Sequence, residues 1–157
     1  MADADKKFSE TNIGDVFEEM VTKPSVVQKG AKIREIIDLM IENPLSRKAY
    51  VVDVDGKLLG MVNTETLLRL VGYRVGVRKS GGVALYQFLR DSLKEEIDDI
   101  MTSVVPIKKD TMLTDAIELM VKQHLNDLPV VDEEGKLIGE MISLNIFRKA
   151  RDLFEAD

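Results

Sequence analysis

The chain of 157 residues carries 22 Lys and Arg against 28 Asp and Glu, a formal net charge of −6, so overall charge does not draw it to nucleic acid or to an anionic membrane surface. It has no cysteine, which excludes disulfides, thiolate metal sites and a cysteine nucleophile. Apolar residues make up 45% and charged residues 32%, the balance of a folded domain, and no apolar run approaches the roughly 20 residues of a membrane helix. The acidic start Met1-Ala2-Asp3-Ala4-Asp5 is unlike a signal peptide, so a soluble, cytoplasmic protein is expected.

Residues 1–11 read as a frayed end. A short amphipathic helix is predicted over Ile13–Met20, then an extended piece at Val26-Val27. Ile33, Ile36, Ile37 and Met40 fall at i, i+3, i+4 and i+7, the apolar stripe of a helix. Asn43-Pro44 stops it, because the residue before a proline is pushed out of the helical region. Ala49–Val52 and Leu58–Val62 are β-prone runs joined by Asp53-Val54-Asp55-Gly56, whose glycine supplies the positive φ of a tight hairpin. A helix read from Leu67, Leu68 and Val71 follows. Tyr73–Glu96 then opens as a mobile loop, Arg74 to Gly82, and continues as a helix with Val83, Tyr86, Leu89 and Leu93 on its apolar side. Within it, Arg78-Lys79-Ser80-Gly81-Gly82 lacks the spacing and terminal Gly-Lys-Ser/Thr of a phosphate loop and is read as a connector. Its cations, with Arg74, are also placed to close over a ligand or to meet an acidic partner.

The second half replays the first. Val51-Val52-Asp53-Val54-Asp55-Gly56-Lys57-Leu58-Leu59-Gly60 returns 79 residues later as Val130-Val131-Asp132-Glu133-Glu134-Gly135-Lys136-Leu137-Ile138-Gly139, with seven of ten positions identical. Leu113, Ala116, Ile117 and Met120 repeat the helical stripe at a spacing of 80, so the first copy holds one extra residue, placed within Asn43–Lys48. Leu128–Val131 and Leu137–Ile142 form the second hairpin, and Ile146, Phe147, Ala150, Leu153 and Phe154 mark the last helix. Val21-Thr22-Lys23 aligns with Met101-Thr102-Ser103, and a short turn of helix at Ile97–Met101 matches Ile13–Met20. Each copy reads strand, helix, strand, strand, helix. A unit of about sixty residues buries only about 60% of its unfolded surface, so the two copies are expected to share a core.

That element order, the tandem duplication, and Leu128-Pro129-Val130-Val131-Asp132 followed by Gly135-Lys136-Leu137-Ile138-Gly139 resemble a pair of CBS domains, the cystathionine β-synthase-type regulatory repeat. The resemblance places repeat 1 over 13–72, a helical insert over 73–96 and repeat 2 over 97–154. It implies an α+β fold of two βαββα repeats packed sheet to sheet about a pseudo-twofold axis. Two inter-repeat clefts of such a pair commonly bind AMP, ADP, ATP or S-adenosylmethionine, and two pairs often associate into a flat homodimer. Membership implies sensing rather than catalysis.

The family's ribose pattern is Gly, two apolar residues, Ser or Thr, two variable residues, then Asp. Here the first copy reads Gly60 to Thr66, with Asn63 at the hydroxyl position and Thr66 at the acid. The second reads Gly139 to Asn145, with Ser143 one residue late and Asn145 at the acid. Neither copy keeps the carboxylate, and a neutral acceptor gives a weaker bond to ribose. Before the first hairpin stand Arg47-Lys48, the phosphate position, leading into Ala49 and Tyr50; the second copy has Asn126-Asp127 before Leu128 and Pro129. A carboxylate repels phosphate, so the clefts are expected to be unequal, with phosphate drawn to Arg47 and Lys48. Thr22 and Thr102 match positions that often meet the base or ribose in the family, and Lys23 joins them as a candidate ligand-binding residue.

Each of these residues has a plainer role open to it. Arg47-Lys48 can be a solvated turn, while Asn63, Thr66 and Ser143 are ordinary helix-start residues. His124, the single histidine, stands near a helix end. No nucleophile–base pair, catalytic residue or metal-ligand cluster is evident, and neither an enzyme nor a nucleic-acid binder is expected. Two functional readings stand. One is a regulatory module that binds an adenosine-containing effector, needs no cofactor, and signals to a partner protein. The other is a ligand-free CBS dimerisation or interaction module with vestigial clefts.

Overall fold

In the computed structural model, residues 9–77 and 82–155 are described. They form six α-helices and two three-stranded sheets, distributed over two compact units. One unit is the continuous segment 25–104; the other combines 1–24 with 105–157. The spatial division therefore crosses the sequence repeat. Residues 13–24 open repeat 1 in the chain but fold with repeat 2.

In the unit formed by 25–104, β2 (Val26–Gln28) pairs in parallel with β3 (Lys48–Val52), and β3 pairs antiparallel with β4 (Leu58–Asn63). Between β2 and β3 runs α2 (Ile33–Glu42), whose buried residues Ile33, Ile36 and Met40 are the predicted stripe. It stops with Asn43 as its cap, directly before Pro44, as the sequence requires. After β4 comes α3 (Thr64–Val77), and the insert supplies α4 (Gly82–Ser92). The loop expected from Arg74 is thus helical through Val77, while residues 78–81, with the expected connector, lie outside the described residues. The insert helix also turns differently from expectation. Phe88 is its buried anchor, and Tyr86 is exposed.

In the other unit, α5 (Leu113–Gln123) precedes β5 (Asp127–Val131), β6 (Leu137–Ile142) and α6 (Ser143–Glu155). β6 lies between β5 and β1 (Val21–Thr22), antiparallel to both. The expected opening strand of this copy is reduced to one parallel bridge, Ile107 to Val130. A 3₁₀ turn at Gly14–Val16 and α1 (Phe17–Met20) lead into β1, splitting the helix predicted over Ile13–Met20.

The cores correspond position for position. Ile33, Ile36, Met40, Ala49, Val51 and Val62 in one unit match Leu113, Ala116, Met120, Leu128, Val130 and Met141 in the other. The hairpins also match bond for bond. Asp53 Oδ1 accepts from the N–H groups of Asp55 and Lys57, each at 2.9 Å, and Asp132 Oδ1 accepts from Glu134 at 2.9 Å and Lys136 at 3.0 Å. Gly56 and Gly135 sit at φ 85° and 84°, so the identical Asp and Gly of the repeat are turn chemistry.

The lead segments obey the same symmetry. Ile13 N donates to Thr111 O at 2.9 Å, and Ile97 N donates to Ala31 O at 3.0 Å. Val21 then pairs with Met141 on β6, while Thr102 bridges Met61 on β4. Room for both crossings comes from glycine. A Cβ on Gly60 would stand 2.7 Å from Thr102 O, and one on Gly139 would collide with Val21 Cγ1.

Candidate functional site

At one end of the β2–β3–β4 sheet, Lys48 opens β3 opposite Asn63, the last residue of β4. Lys48 is buried, whereas Arg47 is exposed and holds a φ of 58°, a left-handed conformation uncommon for a residue with a long side chain. The extra residue of the first copy falls within Asn43–Lys48, the segment that holds this turn. The chain enters α3 directly after Asn63, so the free N–H groups of a 14-residue helix lie at the same end as Lys48. A cation, an amide and a helix start together can receive an anion and a hydroxyl-bearing group.

Asn63 Oδ1 accepts from Thr66 N at 2.8 Å and from Thr66 Oγ1 at 2.9 Å, so the pair caps α3. Ala49 and Tyr50 are fully buried, and Tyr50 N donates to Ser25 O at 2.9 Å. Thr102 exchanges two backbone hydrogen bonds of 2.9 Å with Met61, and its Oγ1 donates to Met61 O at 3.4 Å. The structure thus brings Lys48, Asn63 and Thr66 together, with Arg47 next in the chain. Thr102 sits on the outer edge of β4.

The matching end of the β5–β6 sheet has different chemistry. Asp127 opens β5 opposite Ile142, and the carboxylate is buried. Ser143 N donates to Asn126 O at 2.9 Å, which ties the start of α6 to the strand, while Leu128 and Pro129 are fully buried. Thr22 Oγ1 donates to Glu140 O at 3.3 Å, and Lys23 is exposed just beyond β1. Asn145 is buried, and its Nδ2 donates to Met20 O at 3.2 Å. The position that carries the family's ribose acid therefore serves here as a strut to the lead segment.

One buried acidic side chain was missed from sequence. Glu140 is fully buried in β6, at the position of Met61 in the first copy. Its signal was a carboxylate inside the apolar run Leu137–Ile142. His124 caps α5 in a left-handed conformation, φ 54°, and among the described residues no group of three or more His, Asp or Glu could hold a metal ion.

Known proteins match this arrangement. The family model described as the CBS domain fits residues 10–73 and again 97–150. The uncharacterized protein MJ1426 of Methanocaldococcus jannaschii is 29% identical over 142 residues, covering 79% of this chain and 84% of that protein. Two chloroplastic CBS domain-containing proteins of Arabidopsis thaliana, CBSX1 and CBSX2, also match, and the chain spans 58% of the length of each. Among solved structures, a CBS domain-containing protein of Thermotoga maritima is 31% identical with a TM-score of 0.67, covering 87% of this chain and 92% of that one. CBSX2 solved in complex with AMP is 25% identical with a TM-score of 0.67, covering 91% and 98%. With both halves matched by the same model, this chain belongs to the CBS-domain family and carries a tandem pair of CBS domains.

Proposed function

We propose that the chain is a homodimeric regulatory module, without catalytic activity of its own, that binds a phosphorylated adenosine compound at the Arg47–Lys48 end of the β2–β3–β4 sheet. Binding signals to a partner protein. The observation that carries this reading is Lys48 beside Asn63 at the start of α3, where the matching end of the β5–β6 sheet has Asp127 beside Ile142. Guanidinium and ammonium groups bind phosphate strongly, so AMP, ADP or ATP suits the site better than S-adenosylmethionine, whose sulfonium is itself a cation. The AMP complex of CBSX2 supports the ligand class. A ligand acts on the partner only by its differential affinity for two states of the module. No described helix is long and apolar enough to cross a membrane, in keeping with a partner reached by docking. Calorimetry with AMP, ATP and S-adenosylmethionine tests the proposal: saturable binding of the nucleotides is expected, and no heat with any nucleotide at millimolar concentration would end it.

A second reading has its own observation. Thr66 and Asn145, at the two ribose-acid positions, both donate to groups of the protein itself. On that reading the module works without a ligand, and partner binding is indifferent to nucleotide.

A further inference from the structure

The sequence puts Tyr86, Leu89 and Leu93 on the apolar side of α4, yet the residue that anchors the helix is Phe88, on another face. Ser92, also buried, belongs to that anchoring face and donates its Oγ hydrogen to Phe88 O at 2.8 Å. The stripe of Tyr86, Leu89 and Leu93 instead borders a groove of about 290 Å³ within the unit formed by 25–104. Ile33 and Ile37 of α2, with Leu67 and Leu70 of α3, make the opposite wall. Ile33 N donates to Glu95 O at 3.0 Å and Arg34 N to Leu93 O at 3.2 Å, so the stretch that follows α4 is tied to the start of α2 and the groove is preformed.

This groove is an addition to the repeat. One wall comes from the insert, which the duplication does not copy. On the other wall, the repeat equivalent of Leu70, 79 residues later, is Lys149, which is paired with Glu19. An apolar position in the first copy is thus a charged and engaged one in the second.

The polar groups of the groove lie along one edge. Arg90 follows Tyr86 by four residues, so the guanidinium and the phenol share one side of α4, and both are hydrogen-bond donors. Arg90 Nε pairs with Asp91 Oδ1 at 3.5 Å, an exposed contact of small energy that a ligand can replace. Apolar walls with a few convergent polar groups make a small-molecule site, and a guanidinium at its edge selects a carboxylate. An apolar cavity of about 150 Å³ takes one benzene, so this groove has room for an apolar body of about ten carbons.

We propose that the groove between α4 and the α2–α3 pair binds a medium-chain monocarboxylate, its acyl chain against Ile37, Leu67, Leu70 and Leu89 and its carboxylate at Arg90 and Tyr86. The site lies on the insert and does not rest on the nucleotide reading, so the module takes a second small-molecule input there.

Titration of the isotope-labelled full chain with decanoate, below micelle formation, tests the proposal. Methyl NMR should show saturable shifts centred on Ile33, Ile37, Leu67 and Leu70, and decanol should move the same methyls with about tenfold weaker affinity, because it lacks the charge. Arg90→Gln, at an exposed position, should bring decanoate down to the affinity of decanol while leaving decanol binding and the melting temperature unchanged. No shift of these methyls at millimolar decanoate, shifts spread evenly over the chain, or equal decanoate affinity in the wild-type and Arg90→Gln proteins would overturn it. So would shifts of the same methyls on raising protein concentration without ligand, since protein rather than a carboxylate would then cover the groove.

Discussion

The side-chain amide of Asn145 donates to the backbone carbonyl of Met20, 125 residues earlier in the chain, at 3.2 Å. Around that bond Lys149 pairs with Glu19, Lys109 lies over the Phe17 ring at 4.5 Å, and Val21 pairs with Met141. The lead of repeat 1 is thereby part of the fold of repeat 2. An amide nitrogen that faces a carbonyl has no equivalent in a carboxylate. Asn145→Asp should therefore destabilise the protein by about 1–3 kcal/mol in urea unfolding. If Asn145 were instead a ribose-binding position, the same change would restore the family's acid and tighten AMP binding, which calorimetry would show.

Gly60 and Gly139 let the lead strands cross. Gly139→Ala meets a side chain, Val21, and so Val21→Ala should recover much of its loss; Gly60→Ala meets the backbone oxygen of Thr102, and no side-chain change should rescue it. Both alanine variants should lose about 1–3 kcal/mol. Equal rescue at both sites would show that the crossings do not explain the glycines.

The exchange of leads predicts different fates for fragments. Residues 25–104 form a continuous compact unit that includes Ile97 and Thr102, so this fragment should fold with a cooperative thermal transition. Residues 97–157, which hold the second repeat as the sequence defines it, lack Ile13, Met20 and β1 and should not. Circular dichroism on the two fragments separates these outcomes, and cooperative folding of 97–157 would contradict the exchange.

Glu118 and Lys122 form an exposed pair one turn apart on α5. The hydrogen bond to Lys122, and next its charge, hold the Glu118 carboxyl below its ordinary value; the reciprocal bond raises Lys122. A lowered carboxyl contributes stability above its unfolded pKa and loses it as pH falls through the folded one. An NMR titration should show the midpoint of Glu118 below that of a free glutamate. In Lys122→Ala it should return to the ordinary range.

Much of this was legible from the chain. The stripe Ile33, Ile36, Met40 and its copy, the Asp-Gly hairpins and the stop at Asn43-Pro44 are local patterns, and local patterns decide elements. The exchange of leads was not legible. Ile13 and Ile97 do the same job, yet they stand 84 residues apart while Thr22 and Thr102 stand 80 apart, because α1 adds four residues between them. Leu68 and Phe147, among the apolar residues that mark their helices in the sequence, are exposed, since an apolar pattern marks a helix without saying which of its residues the fold covers. At the site, the contrast between Lys48 and Asp127 was visible in sequence. The bonds that occupy Thr66 and Asn145 are tertiary and were not.

Arg47 carries the central claim because it separates charge from stability. Its φ of 58° suits glycine, so Arg47→Gly removes the cation while leaving stability unchanged or raising it by about 1 kcal/mol. Titrating AMP into the wild-type chain and into Arg47→Gly should give saturable binding to the first and at least about tenfold weaker binding to the second, with no loss of melting temperature. Equal AMP affinity in the two proteins, or no binding to either, would contradict a phosphate site at Arg47 and Lys48.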